Sequence, residues 1–111
     1  MSKKEPEKSH DACVLEIAEE LKKDNWEVNA NLEGWSKPSK MGPAIPDVVA
    51  KKEGCLTRIC AVATPEMFNG DKKNYQDLRN YCAEYDFHFY MIKDGKRVEI
   101  NPNDLLKLKQ K

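Results

Sequence analysis

A chain of 111 residues is the size of one domain with a single core. Charged residues make up 34% of it and hydrophobic residues 40%, the mixture of a well-charged globule, and no apolar run approaches the roughly 18 residues of a membrane span. Its formal net charge is zero, so no overall field draws it to nucleic acid or to anionic membrane.

In chain order, the polar residues 1–8, with Pro6, are expected to form a disordered leader before a single domain over 9–111. They lack the apolar stretch of a signal peptide, which makes the cytoplasm the expected compartment. Ser9 is positioned to cap a helix in which Val14, Ile17, Ala18 and Leu21 fall on one stripe, and Asp24-Asn25 ends it. Trp26, Val28 and Ala30 alternate with polar residues, the period of a half-buried strand. A loop broken by Gly34, Pro38, Gly42 and Pro43 follows. It is long for a compact domain, and Trp35 on it reads as a core plug or a stacking platform.

Pro46-Asp47 then opens a strand through Val48, Val49 and Ala50. Glu53-Gly54 turns the chain, and Cys55 to Thr64 is expected to return as the partner strand, ending in Ile59-Cys60-Ala61-Val62-Ala63. Pro65 to Asp71 reads as an irregular link. A helix capped by Asn69 or Asp71 is expected to run to about Glu84, with Tyr75, Leu78 and Cys82 on its apolar face beside Tyr81 and Tyr85. Phe87 to Ile92 is rich in strand formers, Asp94-Gly95 is a hairpin turn, and Lys96 to Ile100 returns. Asn103 is positioned to cap a short last helix containing Leu105, Leu106 and Leu108. The order predicts an α/β fold: a meander of three strands, a helical crossover, and a mixed sheet of four to five strands.

Charge is uneven along the chain. Residues 11–27 carry six acids against Lys22 and Lys23, whereas Lys37, Lys40, Lys51 and Lys52 outnumber Glu33 and Asp47 between 33 and 52. Segregated solvated faces explain this simply; a basic rim meeting phosphates, with Lys73 added from the later helix, is the sharper alternative. Cys13, Cys55, Cys60 and Cys82 have no CxxC spacing, which points to free, mostly buried thiols rather than zinc ligands. His10 borders the leader and His88 lies in an aromatic strand, so both read as packed rather than catalytic. No GxSxG, HExxH, phosphate-loop or dinucleotide motif occurs.

The segments Asn25-Trp26-Glu27-Val28, Pro46-Asp47-Val48-Val49-Ala50 and Ile59-Cys60-Ala61-Val62-Ala63-Thr64, taken with the element order, resemble the restriction-endonuclease-like PD-(D/E)xK superfamily. The closest likeness is to small members whose hairpin reads PDxxA followed by hhhExxT. The resemblance spans about residues 11 to 92. It implies the order αβββαββ and a site in which a strand-end aspartate, a second carboxylate and a lysine hold a divalent cation and activate water. Asp47 matches the first position. The two that should follow are Ala61 and Ala63, which can neither ligate a metal nor move a proton. Glu16 or Glu20 matches the acid that the first helix often adds, and Gln76 or Lys73 a residue of the later helix.

The resemblance therefore implies a nuclease-fold protein without cleavage, binding nucleic acid or a protein partner, as monomer or homodimer. No cofactor is expected. An active nuclease rebuilt around Asp47 with Glu66 and Lys51, using magnesium, is the first alternative. A homo-oligomerising structural module is the second. The simplest role for Asp47 itself is to enter its strand and accept bonds from nearby backbone N–H groups.

Overall fold

The computed structural model describes residues 10–101 and residue 104. Helix α1 (His10–Lys23) leads to strands β1 (Glu27–Ala30), β2 (Val48–Lys51) and β3 (Arg58–Ala63). Helices α2 (Pro65–Gly70) and α3 (Lys72–Tyr81) follow, then strands β4 (Asp86–Lys93) and β5 (Lys96–Ile100). The strands form one sheet in the order β1-β2-β3-β4-β5. All neighbours are antiparallel except β3 and β4, which are parallel and joined through α2 and α3. The α/β class, the five-stranded mixed sheet and the helical crossover thus match the expectation.

Helix α1 stops where its sequence says it should. Asn25 takes φ 71°. The Trp26 N–H donates to Leu21 O (3.0 Å) and the Asn25 N–H to Lys22 O (3.0 Å), the paired bonds of a Schellman turn. The hairpin β4–β5 turns through Asp94 (φ 52°) and Gly95 (φ 74°), a left-handed pair that suits the twist of the flanking strands.

Alternation divides the sheet residues between two cores. Cys13, Val14, Ile17, Ala18 and Leu21 of α1 cover Trp26, Val48, Ala50, Cys60, Val62 and Ile92 on one face. On the other, Phe68 of α2 and Leu78 of α3 pack on Ile59, Ala61, Ala63, Phe87, Phe89 and Met91. Strand β3 is buried on both faces, as befits the middle of the sheet. Phe68, Tyr75 and Phe89 form a ring triangle with centroids 5.7–5.8 Å apart, each contact adding about 0.5–1.5 kcal/mol to simple burial.

Two expectations need correction. Pro65 to Asp71 is not an irregular link: Thr64 Oγ1 accepts from Met67 N–H (3.1 Å), Pro65 occupies the first turn, and Phe68 anchors the short helix α2. The return strand begins at Arg58, not Cys55. Gly54 (φ 85°) and the Cys55 N–H to Lys52 O bond (3.0 Å) make a turn, and Leu56 stays 65% exposed beyond the ladder. Asp71 stands at the start of α3 without a capping bond from its side chain. The leader, the Ser9 cap and the helix expected after Asn103 lie outside the described residues.

Candidate functional site

Asp47 is fixed at the entrance of β2 by its own backbone. Its N–H donates to Cys60 O (3.1 Å), and its carbonyl accepts from Asn31 N–H (2.9 Å). One step beyond the Val48–Cys60 pair of the ladder, it faces Ala61 across the strands. The carboxylate opens into a cavity lined by His10, Pro46, Ala61, Met67, Asp71, Asn74 and Tyr75, among others.

Both carboxylate oxygens of Asp47 are engaged. Oδ2 accepts from the Val62 N–H at 2.7 Å, so the role of backbone acceptor expected for this residue is met from the adjacent strand. Oδ1 lies 3.2 Å from His10 Nε2. The other ring nitrogen, Nδ1, lies 3.1 Å from Asp11 Oδ1. Only the imidazolium donates from both nitrogens. The hydrogen bond to Asp47 is the main reason the His10 pKa rises from 6.5 to about 9, against the opposing effect of burial. Tyr75, in the same cavity, is pushed up to about 12 by burial first and then by the negative charges of Asp47 and Asp71.

The groups that would complete a cleavage site are elsewhere. Ala61 and Ala63 are 2% and 0% exposed within the second core. Glu16 and Glu20 reach the Arg97 guanidinium of β5, at 3.4 Å and 3.1 Å. Lys51 is on the Asp47 face of β2, but four residues along a strand is about 13 Å, and it lines a different cavity. Among the described residues, none of Glu16, Glu20, Lys51, Glu66 or Gln76 lines the cavity at Asp47. Glu66 is exposed in the first turn of α2.

This donor set does not fit the magnesium that the family resemblance would imply. A hard cation needs several oxygen ligands. Here the Asp47 carboxylate is shared between a backbone N–H and the His10 ring, and although Asp71 lines the same cavity, no cluster of three His, Cys, Asp or Glu suited to a metal occurs among the described residues.

The basic residues that are neighbours in sequence are separated in space. Lys37 Nζ donates to Leu32 O (2.9 Å). Lys52 Nζ donates to Asp24 O (2.9 Å), lies 3.6 Å from its carboxylate and sits over the Trp26 ring. Lys73 pairs with Asp77 at 2.8 Å one helical turn on. Lys40 and Lys51 remain together, lining a cavity of about 310 Å³ with Met41, Thr57, Tyr81 and Tyr85. Trp35 is half-buried against the first core with the Lys22 ammonium over its ring, nearer the core plug than the platform.

His10 is the residue that sequence reasoning missed. It reaches Asp47 only because α1 ends its N-terminal turn at the mouth of β2, and no local pattern connects the two. On the α1 face, His88 faces Asp86 Oδ1 (3.0 Å) and Glu99 Oε2 (2.7 Å), while Arg58 pairs with Asp86 (2.9 Å). These polar groups are satisfied by one another, which suits structure better than catalysis. Compared with known proteins, the chain matches no family model, no curated protein and no solved structure.

Proposed function

We propose that this chain is a nuclease-fold protein of the restriction-endonuclease-like kind that does not cleave and acts by binding, either to nucleic acid or to a protein. The observation that carries the loss of cleavage is the state of Asp47. A protonated imidazole stands against the oxygen that a metal would need, and a backbone N–H holds the other. Replacing Mg²⁺ by an internal cation neutralises the carboxylate but generates no activated water. The buried methyl groups of Ala61 and Ala63 supply neither the second ligand nor the lysine that the family pattern places at those positions. No described helix is long and apolar enough to cross a membrane, and the reading takes the cytoplasm as the place of action.

The test is direct. The purified full chain is incubated with supercoiled DNA, linear DNA and single-stranded RNA in Mg²⁺ and in Mn²⁺. The expected result is intact substrate, identical to that with Asp47→Ala. Metal-dependent nicking that disappears in Asp47→Ala would overturn the reading in favour of an active nuclease with a rearranged site.

A further inference from the structure

We propose that the groove between β2 and the end of α3 binds a short single-stranded nucleic acid, with bases stacked on Tyr81 and Tyr85 and phosphates held by Lys40 and Lys51. The inference rests on the reading of the chain as a non-cleaving binding module and names its ligand and surface.

Four observations carry it. First, Lys40 and Lys51 line the groove, and neither has a carboxylate partner among the described residues, whereas Lys37, Lys52 and Lys73 are each engaged. Second, no carboxylate among the described residues lines this groove. Glu27, across the ladder from Lys51, lines the adjoining cavity and not this one. Third, Tyr81 is 56% exposed and Tyr85 40%, unusually open for aromatic rings at a helix end. Fourth, Tyr81 is held rather than loose. The loop turns through Gly42 at φ 64°, and a Cβ built there would stand 2.8 Å from the Tyr81 ring. One side of the ring is thus laid against backbone while much of its surface faces solvent.

Cationic side chains beside exposed aromatic faces suit a single strand, whose unpaired bases can stack while its phosphates meet ammonium groups. A duplex hides its base faces and would meet only two lysines. An acidic peptide would use the lysines but leave the rings without a planar partner. Lys51 stands about 13 Å from Asp47 along β2, and Asp47 does not line the groove, so binding here needs nothing from the cleavage positions.

The experiment is fluorescence anisotropy of labelled (dT)10 and (rU)10 with the full chain, against the same-length duplex, with poly-glutamate as competitor. Saturable binding of a single strand is expected, weaker for duplex, with log K falling against log salt at a slope of about −1.4 for two phosphate contacts. A stronger signal with (dT)10 or with (rU)10 identifies DNA or RNA as the source of the strand. Tyr81→Ala should weaken binding about tenfold. Lys51→Ala should weaken it and flatten the salt slope by about 0.7. Circular dichroism checks the fold of each variant, and Tyr85→Ala takes the place of Tyr81→Ala should the latter not fold. Absence of saturable single-strand binding at low salt, tighter binding of duplex, full displacement by poly-glutamate, or folded Tyr and Lys variants that bind like the parent would each overturn the proposal. Cleavage of the oligonucleotides in Mg²⁺ would instead overturn the non-cleaving reading and leave the groove standing.

Discussion

At Asp47, a metal site and a structural carboxylate differ in what reaches the two oxygens. Here those neighbours are a backbone N–H and a histidine, and the histidine makes the pair measurable. The His10 pKa is raised to about 9 in the folded chain from its ordinary 6.5. Below about pH 6.5 both folded and unfolded chains carry the proton, and the stabilisation is present in full. Between about 6.5 and 9 the unfolded chain loses its proton while the folded one keeps it, so stability falls as pH rises. Above 9 the contribution is gone. Because the ring is partly exposed, solvent screening reduces the effect to about 1–3 kcal/mol. Urea midpoints taken from pH 6 to pH 9.5 should therefore decline, and His10→Ala should flatten that decline; parallel profiles for the two proteins would refute the pairing. At Ala61 the same reasoning runs through burial. With 2% exposure and Asp47 opposite, Ala61→Glu buries another carboxylate beside an Asp47 whose partners are already taken. A loss of about 3 kcal/mol or more is expected in urea unfolding. An unchanged midpoint would mean that this position has access to solvent.

At the scale of elements, α2 is the instructive case. It has six residues and one buried side chain, Phe68, too short for any periodicity to emerge. Its start is nevertheless written in Thr64-Pro65-Glu66, a capping hydroxyl, a proline suited to the first turn and an acid near the positive end of the dipole. Read as a breaker, the proline conceals the helix; read as an N-terminal residue, it announces it. Thr64→Ala removes the bond to Met67 N–H and should cost about 1 kcal/mol, visible as a lower thermal midpoint, with Thr64→Ser restoring most of it. Equal midpoints for all three proteins would mean that the cap contributes nothing. Elements with strong local signals were legible: the stripe of α1, the alternation of β1, the Asp94-Gly95 turn. So was the aspartate at the mouth of β2. The site around it was not, since His10 arrives by tertiary packing. Nor was the basic cluster what the sequence order suggested. Lys51 and Lys52 are adjacent, so strand alternation sends one to the groove and the other to Asp24 and Trp26.

For the molecule as a whole, the decisive fact is that β3 belongs to both cores. Cys60 and Val62 pack under α1, and Ile59, Ala61 and Ala63 under α2 and α3. Arg97 reinforces the link by joining the last strand to Glu16 and Glu20 of the first helix and lying over Tyr90. Neither face can open without removing the other's floor, so the domain should unfold in one step. The two tryptophans allow a strict test, because Trp26 and Trp35 both report on the α1 face. Leu78 is 3% exposed in the opposite core, and Leu78→Ala should cost about 2–5 kcal/mol through lost burial and a residual cavity. If the sheet couples the faces, tryptophan fluorescence and far-ultraviolet circular dichroism will move together in urea, by the same shift in midpoint, although the substitution touches no residue near either indole. A tryptophan transition that stays in place while the circular dichroism signal splits would show instead that the α1 face folds independently of the face that carries Ala61, Leu78 and the Asp47 carboxylate.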